Sequence, residues 1–127
     1  MRISKAIRQV DEFLKQNPEW KNKLTESHPE LCFAKLNHNQ PIMENKRTEE
    51  GEQKRLEVLQ RYYPEARLVV DKYLADVPYR KKTDDVIDAL CLAVTGMIGY
   101  QNGFLTIPEN PMTDKHGLRM QMVCAVI

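Results

Sequence analysis

The stretch TDDVIDALCLAVTGMIGYQNG, residues 83–103, decides the fold class of this chain. Its apolar residues recur at the spacing of one helix face: Leu90, Ala93, Val94, Met97 and Ile98. Thr83 is the predicted N-cap, and Asp84 and Asp85 follow in the first turn, where the helix dipole favours negative charge. Gly99 or Gly103 is expected to end this helix. The stretch therefore predicts a long helix.

The sequence before this stretch also predicts helices. Apolar residues at helical spacing indicate an amphipathic helix over residues 2–17, which Asn17-Pro18 ends. Pro29 is expected to open a brief helix with four inward residues: Leu31, Phe33, Ala34 and Leu36. Two more helices are expected over residues 48–62 and 64–74, with the core candidates Leu56, Leu59, Leu68, Val69 and Val70. A short strand near residues 21–26 is a further expectation.

The sequence after the long helix changes to a β pattern. Residues 104–107 are β-prone, and residues 118–126 alternate with a period of two, which predicts a strand with one buried face. Two strands alone are marginal and need helices packed on them. The order of elements predicts a helix-rich α+β fold in one domain, residues 1–127.

Composition narrows the function classes. With 42% apolar and 29% charged residues the chain is typical of a folded globular protein. A net charge of +1 gives no global attraction to nucleic acid, so any basic surface is local, with Arg80-Lys81-Lys82 the obvious cluster. The three cysteines are widely spaced without a CxxC motif, which favours reduced, buried thiols. The charged start and the absence of a long apolar run predict a cytoplasmic protein without a membrane segment.

Three aspartates are the first candidates for chemistry. Asp84 and Asp88 are one helical turn apart, and Asp85 and Asp88 share a face, so two carboxylates can point at one place. Asp84 and Asp85 could instead serve only the helix dipole. Asp88 lies in an apolar run, where an aspartate requires a partner, solvent or a metal.

Two further groups carry candidate residues. Residues 25–30, TESHPE, place Glu26, His28 and Glu30 within five positions, although taken alone a solvated loop with His28 as a cap is the favoured explanation. Residues 46–51, KRTEEG, could be a plain helix start or could bring Lys46 near a phosphate. The sequence contains none of the phosphate-loop, dinucleotide, serine-hydrolase or zincin signatures.

Four segments in order resemble the landmarks of domain-of-unknown-function family 429, which is described as predicted nucleases of ribonuclease H-like fold. They are ESHPELCFAKLN (26–37), NKRTEEG (45–51), TDDVIDALCLA (83–93) and DKHGLRMQMV (114–123), and the helix RQVDEFL (8–14) resembles that family as well. The resemblance covers nearly the whole chain.

The resemblance implies a divalent-metal-dependent phosphodiester hydrolase acting on nucleic acid. In ribonuclease H-like nucleases, acidic side chains hold two metal ions that activate water and stabilise the leaving oxygen, and oxygen ligands suit Mg²⁺ or Mn²⁺. By this analogy Glu26, Asp85 and Asp88 are catalytic, and with Asp84 they bind metal. Four further residues are expected binding residues: His28, Glu30, Lys46 and Thr48.

The family's first strands, with an acid on the opening one, have no counterpart in this sequence. The chain therefore looks like the C-terminal portion of a ribonuclease H-like α/β fold, with a nuclease site that is incomplete or inactive by itself. The alternative is a non-catalytic remnant that serves as an interaction or assembly module. Two further expectations are that Glu26 approaches the 84–88 cluster and that a second copy closes an exposed sheet edge.

Overall fold

A computed structural model describes residues 4–76 and 82–127. These residues form five α-helices: α1 (Lys5–Gln16), α2 (Pro29–Leu36), α3 (Glu49–Gln60), α4 (Ala66–Asp76) and α5 (Thr83–Asn102). Two short strands, β1 (Phe104–Ile107) and β2 (Met122–Ala125), pair with each other. The helix-rich α+β class is confirmed. Arg80 and Lys81 of the expected basic cluster lie outside the described residues.

Local signals set most helix ends. The Ser4 hydroxyl accepts a hydrogen bond from the Ile7 N–H and caps α1, and Pro29 is the first residue of α2. Gly103 ends α5 with a φ of 99°, a conformation that glycine adopts at little cost. Thr83 is the first residue of α5 and not its N-cap, which is Lys82. No helix within the described ranges is long and apolar enough to cross a bilayer.

The chain divides into two compact units. The first comprises Met1–Glu26 and Thr106–Val123, and the second comprises Ser27–Leu105 and Cys124–Ile127. The first unit contains α1 and a 3-10 turn at Pro18–Trp20. The second contains α2, α3, α4 and α5. That the whole chain is one domain stays a prediction.

The second unit holds the main core. Helix α5 packs against α2, α3 and α4, because its apolar face meets theirs. Buried side chains of this core include Phe33, Leu36, Leu56, Leu59, Val70, Ile87, Val94 and Ile98. Two core predictions are wrong: Leu68 is 67% exposed and Val69 is 40% exposed. Ala66 and Val70, four positions apart, form the buried face of α4 instead.

Two strand predictions need correction. Residues 21–26 form a turn and an irregular segment and not a strand. The predicted strand over residues 118–126 is shortened to β2, in which Val123, Cys124 and Ala125 are buried in succession. A strand covered on both faces shows no period of two, and Met120, which would share a face of the predicted strand with the buried Cys124, is 53% exposed.

The side chains of all three cysteines are buried, as the sequence predicted. Cys32, Cys91 and Cys124 belong to the core of the second unit. Burial raises the pKa of Cys91 far above its ordinary value, and burial also raises the pKa of Cys124. Because the thiolate is the reactive form, both shifts make these side chains inert.

We therefore expect the native protein to react with Ellman's reagent at least about tenfold more slowly than the unfolded chain, in which all three thiols are open to solvent. The Lys72→Cys variant, with its thiol on the exposed side of α4, is the control and should react promptly while the native thiols stay silent. Native wild-type protein that reacts as fast as this variant would contradict the burial of the three cysteines.

Candidate functional site

Two of the predicted acids form one face at the start of α5. Asp84 and Asp88, one turn apart, have side chains that are only 14% and 16% exposed. Asp85 lies in the same first turn but is exposed. Of the three aspartates, Asp84 and Asp88 are therefore the pair that the described fold holds in a partly desolvated position.

Lys46 is the partner of Asp88. Its Nζ donates a hydrogen bond to Asp88 Oδ2 at 2.8 Å. The hydrogen bond to Asp88 raises the pKa of Lys46, and the charges of Asp88, Asp84 and Glu30 raise it further. The other carboxylate oxygen, Asp88 Oδ1, is buried and has no hydrogen-bond partner among the described residues. Asp88 is thus held through one oxygen, and the second remains an unused acceptor.

The loop before α3 carries Lys46 into this position. The Asn45 carbonyl accepts hydrogen bonds from the Thr48 N–H at 3.0 Å and the Thr48 hydroxyl at 2.7 Å. The Thr48 hydroxyl accepts the Gly51 N–H at 3.1 Å and so caps α3. Thr48, predicted as a binding residue, therefore has a structural position at the helix start. The turn it closes fixes the backbone of Lys46.

Arg47 extends the same loop towards the first aspartate of α5. Its Nε lies 3.8 Å from Asp84 Oδ2, and its side chain is 82% exposed. The Arg47 N–H donates to the Asn45 side-chain oxygen at 2.9 Å. Asp84 and Asp88 therefore each have a cationic partner, Arg47 and Lys46 respectively, and these two cations are consecutive residues of the same turn.

Glu30, predicted as a binding residue, is bound by a buried arginine. Arg55 Nη2 and Nε donate to the two Glu30 carboxylate oxygens at 2.9 and 3.2 Å. Arg55 Nη1 also donates to the carbonyls of Glu44 at 2.8 Å and Gly51 at 3.1 Å. The guanidinium therefore joins the start of α2 to Glu44, which precedes Lys46, and to the first turn of α3, which follows it.

The sequence reasoning missed Arg55, although a signal existed. Arg55 occupies the buried stripe of α3, four residues after Gly51 and four before Leu59. A charged residue on an apolar stripe requires a buried partner. The signal in the sequence was the position of Arg55 on the apolar stripe of α3, and not the fact that the residue is an arginine.

His28 and Glu26, the other two residues singled out in the 25–30 segment, belong to different units, His28 to the second and Glu26 to the first. His28 is exposed, and its carbonyl accepts the Cys32 N–H at the start of α2. Glu26 belongs to the first unit, where it is exposed and lines a groove of about 640 Å³ together with apolar residues of α1 such as Ile7 and Val10. The Glu26 carbonyl accepts the Val123 N–H at 2.9 Å. The approach of Glu26 to Asp88 stays a prediction.

The α5 charged cluster, as we name it, comprises three acids and three cations of the second unit: Glu30, Asp84, Asp88, Lys46, Arg47 and Arg55. Within the described ranges, no three His, Cys, Asp or Glu side chains are grouped so that they could hold a metal ion. Each acid of the cluster faces a cation, so the arrangement does not fit the two-metal site that the resemblance implied. Mg²⁺ or Mn²⁺ stays a prediction.

Comparison with known proteins gives a family and no individual relative. A family model described as "Protein of unknown function (DUF429)" matches residues 1–113. A search of curated proteins and of solved structures found no match to this chain.

Proposed function

Since the chain belongs to the DUF429 family, we propose that it carries part of a phosphodiester-cleaving site of the ribonuclease H-like type and does not cleave nucleic acid by itself. The site is the α5 charged cluster. Nucleic acid is the partner class that this proposal implies, and its phosphate groups are the chemistry that the cluster's cations can recognise.

The pairing of acids with cations carries the proposal. Asp88 is bound by Lys46 at 2.8 Å, and Asp84 faces Arg47 at 3.8 Å. Two-metal hydrolysis requires carboxylates that clamp two ions about 3.5–4 Å apart. Carboxylates already neutralised by lysine and arginine cannot do this without further acids and a rearrangement. Cleavage by this chain alone therefore lacks its metal-binding step.

The same cluster retains exposed cations, which phosphate binding requires. Arg47 is 82% exposed and Lys46 is 36% exposed, so both cations are open to an incoming ligand. Arginine and lysine at such positions contact phosphate oxygens through charge-assisted hydrogen bonds. The chain can thus hold a nucleic-acid backbone at the cluster while leaving it intact.

We expect the purified chain to show no metal-dependent cleavage of single- or double-stranded DNA or RNA with Mg²⁺ or Mn²⁺. The Asp88→Asn variant should show the same background as the wild type, because Asp88 is occupied by Lys46. The control is Asp71→Asn, which removes an exposed carboxylate from α4. The measurement is gel analysis of end-labelled substrates.

A binding assay completes this test. Fluorescence anisotropy of labelled oligonucleotides should show salt-dependent binding that Arg47→Ala weakens and Arg61→Ala, at another exposed arginine, does not. Robust cleavage that Asp88→Asn abolishes and Asp71→Asn retains would overturn the proposal of an incomplete site. If nucleic acid is not bound at all, the interaction or assembly module becomes the better description.

A further inference from the structure

The charge arrangement around Lys46 leads to a second conclusion about the α5 charged cluster. The three acids and three cations pair one to one: Glu30 with Arg55, Asp84 with Arg47, and Asp88 with Lys46. The formal charges of the cluster therefore cancel. A divalent ion that entered it would meet no net negative charge and would face three positive groups.

Lys46 is the cation of this set on which all three acids act. Its ammonium contacts Asp88 directly, and the charges of Asp84 and Glu30 also act on it. Arg55 is 3% exposed and is committed to Glu30 and to two carbonyls, whereas Arg47 is largely exposed. Lys46 thus lies where the fields of all three acids overlap.

The backbone holds Lys46 in this position from both sides. Before it, the Glu44 carbonyl is bound by the buried Arg55, and after it Thr48 closes the turn onto Asn45. The lysine side chain is therefore presented to α5 from a fixed point. An ordered backbone lowers the conformational entropy that the ion pair must overcome.

We propose that Lys46 is the built-in cation of the cluster, and that its ammonium excludes divalent metal ions from Asp88. Lysine carries a compact point charge, and at 2.8 Å from Asp88 Oδ2 it supplies the positive charge that a metal ion would otherwise bring to this carboxylate. This inference rests on the proposed function only in that it takes the α5 charged cluster as the functional site. In this arrangement the unused Asp88 Oδ1 becomes a metal ligand only after Lys46 has left.

The test is Mn²⁺ binding, measured by the loss of the free-ion signal in electron paramagnetic resonance. The Lys46→Met variant should bind Mn²⁺ at least about tenfold more tightly than the wild type, because it exposes Asp88 and leaves the cluster with excess negative charge. The matched control is Lys54→Met, which removes a lysine paired with the single carboxylate of Glu44 and should bind like the wild type.

The double variant Lys46→Met with Asp88→Asn should return to the wild-type affinity, which assigns the gain to Asp88. Circular dichroism verifies folding, and Lys46→Gln replaces Lys46→Met if the latter does not fold. The inference is wrong if Lys46→Met and Lys46→Gln both bind Mn²⁺ with the affinity of the wild type. Since no cleavage is measured, this result is independent of whether the proposed nuclease relationship holds.

Discussion

Replacement of Arg55 by methionine is expected to lower the free energy of unfolding by about 3 kcal/mol, at the lower end of the cost of breaking a buried ion pair. Methionine fills the volume but leaves the Glu44 carbonyl without the guanidinium donor. The guanidinium also lies over the Phe33 ring, 5.7 Å from its centroid, and this contact is lost too. Glu30 is 37% exposed, so water partly replaces the hydrogen bonds that Glu30 loses with Arg55.

Urea unfolding followed by circular dichroism measures this effect. Arg61→Met removes an arginine from an exposed position and should change stability by no more than about 0.5 kcal/mol. Glu30→Gln keeps an acceptor for Arg55 and should cost less than Arg55→Met. If Arg55→Met and Arg61→Met cost the same, Arg55 does not join α2 to the Lys46 loop in the way that its contacts indicate.

Substitution of Gly51 by alanine is expected to cost about 3 kcal/mol, the upper range for forcing atoms into packed space. A Cβ atom at this position would overlap the backbone carbonyl of Asn45. The Asn45 carbonyl also accepts hydrogen bonds from the N–H and the hydroxyl of Thr48. It therefore cannot move away without opening the turn. The change should therefore also disturb the approach of Lys46 to Asp88.

The control is Gly96→Ala on α5, where an added Cβ meets no atom within 4 Å. Alanine is a better helix former than glycine, so this variant should gain up to about 1 kcal/mol. The two substitutions thus have the same chemistry and opposite expected signs in urea unfolding. A Gly51→Ala variant as stable as the wild type would show that the loop is looser than described.

The sequence alone predicted the helices and the class of fold. Helical spacing, the proline at the start of α2 and the glycine after α5 are local signals, and the forces behind them act within one or two turns. The sequence also identified Asp88 correctly as unusual, because an acid in an apolar run is anomalous whatever surrounds it. It could not name the partner of Asp88.

Only the tertiary structure decided which charges meet. Lys46 and Asp88 are 42 positions apart, and Glu30 and Arg55 are 25 apart, so no spacing rule connects them. The same holds for the faces of α4 and β2, where Leu68 is exposed and Val123 is buried. Periodicity shows that an element has faces, but which face is covered depends on neighbours that pack only when the chain is folded.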